Sequence, residues 1–326
     1  MSANKPKAIW FLFTTMLSIF NICTIQIFAG LTWSFYAVTI NALLSLGGLI
    51  LQLHVEPKDQ KRKAMIPLHV ILWANSVSVF LMMGLSLFTL ESQYHNFLRT
   101  DAKMTGPVDM EALHAASDDP VTLVETDDFY VFLVEDYNDI DFVAGDRPSR
   151  KDESIQLCIA AAFQASYEVG FSHDNVVGWH TSDEGLQPGT PLDGLGGFTY
   201  VDGVGHIWDT DESADAIKEA SEKGGCGFQQ FIVLCDGVHG SHTTGEFRCF
   251  RVVAVVDGEV LVIDSRTQMH YEEFVDALID YGIKDAIYCD MGSGWNYSWY
   301  RSRSGRPLEI IGSPWPFSHN WLVFKK

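Results

Sequence analysis

Three long runs almost free of charge, residues 8–29, 33–53 and 65–90, constrain this chain more than any other feature. Each is long enough for the roughly 20 apolar residues that a bilayer-spanning helix needs. The first exceeds the roughly 7–15 residues of a cleavable signal's apolar stretch, and a second follows almost at once, so it reads as an anchor. Asn21, Gln26, Asn41, His69 and Asn75 lie inside the runs. Hydrogen bonds between helices account for them, and a transport or proton pathway is the other reading. Lys5 and Lys7 precede the first run, Lys58, Lys61, Arg62 and Lys63 sit between the second and third, and residues 30–32 carry no charge. The positive-inside rule then gives three crossings, a cytoplasmic N-terminus and an extracytoplasmic C-terminal part, periplasmic or extracellular.

The charge divides with the apolarity. Residues 1–91 hold six of the 22 basic and three of the 42 acidic side chains, which leaves residues 92–326 with a net charge of −23. Such a surface repels nucleic acid. The expected organisation is a membrane domain over residues 1–91, a polar linker over 92–127 that has room for a helix at 109–116, and a folded domain over 128–326. In that domain residues 129–134 are strand-like, Asp202-Gly203 and Asp257-Gly258 each sit between two strand patterns as hairpin turns, and residues 214–222 and 271–281 have helical character, stopped at Gly224-Gly225 and Gly282. The sequence therefore predicts an α+β fold, with mixed or antiparallel sheets and a few helices, preceded by three transmembrane helices.

Chemistry concentrates near the C-terminus. Residues 283–289 read as a short strand, and Asp290 follows where pairing stops and a glycine-permitted turn begins. Gly292 and Gly294 let a ligand approach main-chain N–H groups, while Trp295, Tyr297, Trp299 and Tyr300 offer flat apolar faces suited to a sugar ring. Asp290 is either a site carboxylate or a turn former. His173 and His180 either cap loops or handle substrate, and Asp264 and Arg266 emerge at a strand mouth as a local ion pair or as site residues. Arg248, Arg251 and Arg301 read as solvated or paired charges rather than phosphate ligands, and Asn296-Tyr-Ser298 matches a glycosylation sequon. Cys23 lies in the first run. Cys158, Cys226, Cys235, Cys249 and Cys289 cannot all pair among themselves, and Cys289 and Cys235 read as small buried strand residues rather than nucleophiles, having no His beside them. No zinc-like spacing occurs, so neither a metal nor a cofactor is expected.

Asp290-Met-Gly-Ser-Gly294 resembles the Asp-Gly-Gly-Gly-Ser-type loop of the phosphodiester glycosidase family. Residues 228–237 and 250–266 are similar to that family's strand ending in a polar residue and Gly and to its following hairpin, and residues 171–175 and 196–200 are similar to its bacterial members. The resemblance runs from about residue 128 to the C-terminus in the family's order. Two departures stand out: Met291 replaces a loop glycine, and Ala160-Ala-Ala-Phe163 stands where the family has Asn-Gly-Gly-Phe. The resemblance implies a hydrolase that breaks the glycosidic bond of a sugar 1-phosphodiester, with a sugar-phosphate-containing glycan or glycolipid as its partner. Asp290 would stabilise the oxocarbenium ion, Arg266 would hold the phosphate with Asp264 orienting it, and His173 would be acid/base or phosphate ligand. Gly292, Ser293, Gly294, Trp295 and Asn296 would shape the substrate site. A catalytically silent glycan-binding or scaffold module and a phosphodiesterase cutting on the phosphorus side are the rival readings.

Overall fold

A computed structural model describes residues 98, 100–135, 137–165, 175–181, 185–292, 296–311 and 318–326. All belong to one of the chain's two compact units, Gln93–Lys326. The first strands are β1 (Ala102–Lys103), β2 (Val121–Glu125), β3 (Phe129–Val134), β4 (Asp139–Ala144), β5 (Ile155–Ala160), β6 (Leu195–Val201), β7 (Val204–Trp208), β8 (Cys226–Cys235) and β9 (Val238–His239). They are followed by β10 (Phe247–Arg248), β11 (Arg251–Val256), β12 (Glu259–Ser265), β13 (Met269–His270), β14 (Asp285–Tyr288), β15 (Ser298–Arg301), β16 (Pro307–Ile311) and β17 (Asn320–Lys325). The described helices are α1 (Met110–Ala115), α2 (Ser213–Glu222) and α3 (Tyr271–Asp280).

Local chemistry sets the reversals. Asp202-Gly203, Asp236-Gly237 and Asp257-Gly258 join β6 to β7, β8 to β9 and β11 to β12, and in each the aspartate has φ of 51–53° and the glycine 76–87°. Two successive left-handed residues make the turn whose twist matches the flanking strands. The larger sheet runs β1-β2-β3-β12-β11-β14-β8-β6-β7 with β9 paired on β8, the smaller β16-β15-β5-β17-β4, and β10 pairs with β13 as a short ribbon.

Register decides which side chains share a face, because successive strand residues alternate. On one face of the larger sheet Phe129 and Phe250 meet Phe274 of α3, with ring centroids 5.8 and 5.3 Å apart. Tyr271, Phe274, Val275 and Leu278 recur at helical spacing and are buried there. Each contributes roughly 1.5–3 kcal/mol by leaving water. The Glu273 carboxylate accepts from the His270 N–H at 3.0 Å, which fixes where α3 begins. On the opposite face Phe132 of β3 meets Tyr300 of β15 at 6.0 Å, so the smaller sheet covers that side.

The architecture corrects the expectation of an α+β fold preceded by three transmembrane helices. The described residues form mostly strands in sheets with few helices, the longest of which have 10 residues. Such helices are about 15 Å long, half of a bilayer's hydrocarbon core. No helix among the described residues is long and apolar enough to cross a membrane. The three apolar runs themselves lie outside the described residues. In the polar stretch read as a linker, Asp109 caps α1 by accepting from the Ala112 N–H at 3.1 Å, and β2 is paired along its length with β3. The run Val121-Thr-Leu-Val is too short to show a period of its own, yet it supplies buried residues to the sheet.

Candidate active site

Asp290 stands where the two sheets meet. The Cys289 N–H donates to the Arg251 carbonyl at 3.0 Å, extending the β14 ladder by one residue, and the Asp290 N–H then donates to the Ala161 carbonyl just beyond β5 at 2.9 Å. The Asp290 side chain is buried, and its Oδ1 accepts from the Gly292 N–H at 2.9 Å, so the glycine turn closes on the carboxylate. Burial pushes the Asp290 carboxyl up to about 6, while the Gly292 N–H and the Arg248 charge pull the other way. A carboxyl poised there exchanges protons near neutral pH.

Alternation puts Tyr288 and Asp290 on one face and Cys289 on the other. The cation on Asp290's face is Arg248, which donates from one terminal nitrogen to the Tyr288 hydroxyl at 2.8 Å, pairs through the other with Glu246 at 2.9 Å, and lies 5.8 and 5.5 Å from the Tyr288 and Phe250 ring centroids. Its Nε is buried without a hydrogen-bond partner among the described residues. His242, from the loop between β9 and β10, stacks on Phe231 at 4.0 Å and 9°, and burial and Arg248 lower its imidazole's affinity for a proton. Phe163 completes the wall, 5.6 Å from Phe231 and 5.4 Å from Tyr288. The result is a carboxyl, a guanidinium and an imidazole set among aromatic rings.

Several expected site residues lie elsewhere. Arg266 donates to the Thr126 and Asp127 carbonyls at 2.8 and 3.0 Å and pairs with Glu125 at 2.7 Å, so the β2–β3 turn holds it. Asp264 is bound through both oxygens by Arg251, at 2.5 and 2.6 Å, with both side chains fully buried. The pairing of Arg251 with Asp264, and of Val252 with Tyr288, places Asp264 on the face opposite Tyr288. The expectation that Asp264 orients Arg266 beside Asp290 is corrected by that alternation. Tyr297, Trp299 and Tyr300 are buried around β15, not walls of an open site. Arg301 donates to the carbonyls of Ile155, Gly305, Arg150 and Asp152, which makes it a structural clamp. His180 is buried against Phe142.

Gly292 and Asn296 remain close in sequence to Asp290, and Asn296 is buried with its Oδ1 unpartnered among the described residues. A buried asparagine does not serve as a glycosylation acceptor, which removes that reading of the sequon. His173, Ser293, Gly294 and Trp295 lie outside the described residues. Cys158, Cys226, Cys235, Cys249 and Cys289 are free thiols, and burial pushes Cys289 up to about 12, unsuited to nucleophilic attack at neutral pH. Among the described residues no group of three or more His, Cys, Asp or Glu side chains is arranged to hold a metal ion. Sequence reasoning read Arg248 as a solvated or paired charge, named Phe163 only within the Ala160–Phe163 departure, and missed His242. The signal for His242 and Arg248 was a polar loop, residues 240–246, leading into an arginine between two strand patterns.

No family model and no curated protein matches the chain. Among solved structures, it is similar to the catalytic domain of zebrafish N-acetylglucosamine-1-phosphodiester alpha-N-acetylglucosaminidase, auto-inhibited by its pro-peptide, with 11% sequence identity and a TM-score of 0.44 over 64% of this chain and 82% of that chain.

Proposed function

We propose that the chain is a hydrolase that cleaves the glycosidic bond of a sugar 1-phosphodiester at Asp290. The observation that carries the reading is a carboxyl buried at the junction of the two sheets, closed over by the Gly292 N–H, on the strand face where Tyr288 holds Arg248. The resemblance of residues 290–294 to the family loop supports it. A phosphate is a good leaving group, so the main task is placing charge. Ionised Asp290 stabilises the positive charge that grows at the anomeric carbon, and Arg248, in the role the sequence suggested for Arg266, receives the phosphate oxygens. The anomeric C–O bond breaks, its electron pair leaves with the phosphate monoester, and a water oxygen bonds to the anomeric carbon while its proton passes through His242 to solvent. The part-exposed Phe163 and Phe231 rings give the sugar an apolar wall, and the buried Tyr288 ring behind them keeps water from that side.

A panel of sugar 1-phosphodiesters incubated with the chain tests this. Release of free sugar and a phosphate monoester is expected. Sugar binding without turnover favours the silent glycan-binding module, for which Ala160-Ala-Ala162 in place of polar and glycine residues is the motive.

A further inference from the structure

One of the two contacts that hold the Arg248 guanidinium can be exchanged. One terminal nitrogen is held by the Tyr288 hydroxyl, the other by Glu246, and Nε is buried with no hydrogen-bond partner among the described residues. The two anchors are unequal. Tyr288 is fully buried in the sheet, whereas the Glu246 side chain is 61% exposed and enters from the end of the polar loop. Glu246 and Arg248 are two residues apart and share a side of the extended chain, while Phe247 between them turns outward against His270. An ion pair with one partner so exposed is screened and readily broken.

We propose that Glu246 is an internal counter-ion that holds the Arg248 oxyanion site in the unliganded protein and yields it to a phosphate-bearing ligand. This rests on the assignment of Arg248 to the phosphate. A phosphate oxygen takes the place of the Glu246 carboxylate on the outer nitrogen, while the Tyr288 hydroxyl keeps the other terminal nitrogen in place. Glu246 then turns into solvent. The exchange admits oxyanions that compete with a carboxylate and gives nothing to a neutral sugar, so Glu246 sets selectivity for charged substrates on a strongly acidic surface.

Inorganic phosphate is the probe, titrated calorimetrically into the full chain at fixed low ionic strength, with no turnover required. Glu246→Gln is expected to lower the phosphate Kd about fivefold. Arg248→Gln is expected to abolish binding, and adding Glu246→Gln to it is expected to restore nothing. An unchanged or higher Kd in Glu246→Gln overturns the proposal. So does an equal gain in the Arg248→Gln background, since the glutamate would then act through general charge alone. Failure of every phosphodiester to turn over removes the proposed activity, while the phosphate titration still decides the role of Glu246.

Discussion

Replacing Asp290 with Asn separates a catalytic carboxylate from a structural one, because the two make opposite predictions about stability. Burial raises the Asp290 carboxyl from 3.8 to about 6, a change of roughly two units, and at 1.36 kcal/mol per unit the folded state is disfavoured by about 3 kcal/mol once the group is ionised. The sign follows from the direction of the shift. A carboxyl raised on folding contributes its full stability below its unfolded value, and that contribution is lost as pH rises through 3.8 to about 6. Asparagine keeps an oxygen for the Gly292 N–H and never acquires the charge. Asp290→Asn is therefore expected to melt close to wild type near pH 4 and higher than wild type at pH 8, by about 6–12 °C for a unit of this size. Its turnover should fall at least about a hundredfold, roughly 2.7 kcal/mol in activation free energy. In the wild type, turnover should rise as pH passes through about 6, where Asp290 ionises. Paired thermal melts at the two pH values are the assay. A variant less stable than wild type at pH 8, or a difference that ignores pH, refutes the reasoning and returns Asp290 to the role of a turn former.

Arg248→Gln should raise KM for a phosphodiester more than tenfold and leave binding of the free sugar unchanged, whereas Arg266→Ala should leave both constants near wild type and cost at most about 1 kcal/mol of stability, as steady-state kinetics and melts would report. Asp264→Asn leaves Arg251 charged inside the sheet without its counter-ion, and urea unfolding should show a loss of about 3–5 kcal/mol.

Features that depend on adjacent residues were legible in the sequence. The Asp-Gly turns at 202–203 and 257–258 required only that both residues accept left-handed dihedrals, and Asp236-Gly237 carries the same signal. Asp290 was legible for the same reason, since a short strand, a carboxylate and a glycine loop are contiguous. Arg266 was not. Its distance from Asp290's face depends on β12 and β14 lying either side of β11 in one particular register, and a slip of one residue would reverse the outcome. The aromatics after Asp290 looked like walls of a loop, but Trp299 and Tyr300 alternate along β15, so the strand period buried both. His242 and Arg248 share one segment and Phe163 comes from another, and only tertiary pairing brings the two to Tyr288.

The most direct test of the account follows the oxygen. Turnover of a sugar 1-phosphodiester in ¹⁸O-labelled water, with both products analysed by mass spectrometry, is expected to place the label in the free sugar and none in the phosphate monoester, because attack falls on the anomeric carbon beside Asp290. Label in the phosphate, or a wild-type rate retained by folded Asp290→Asn, contradicts it.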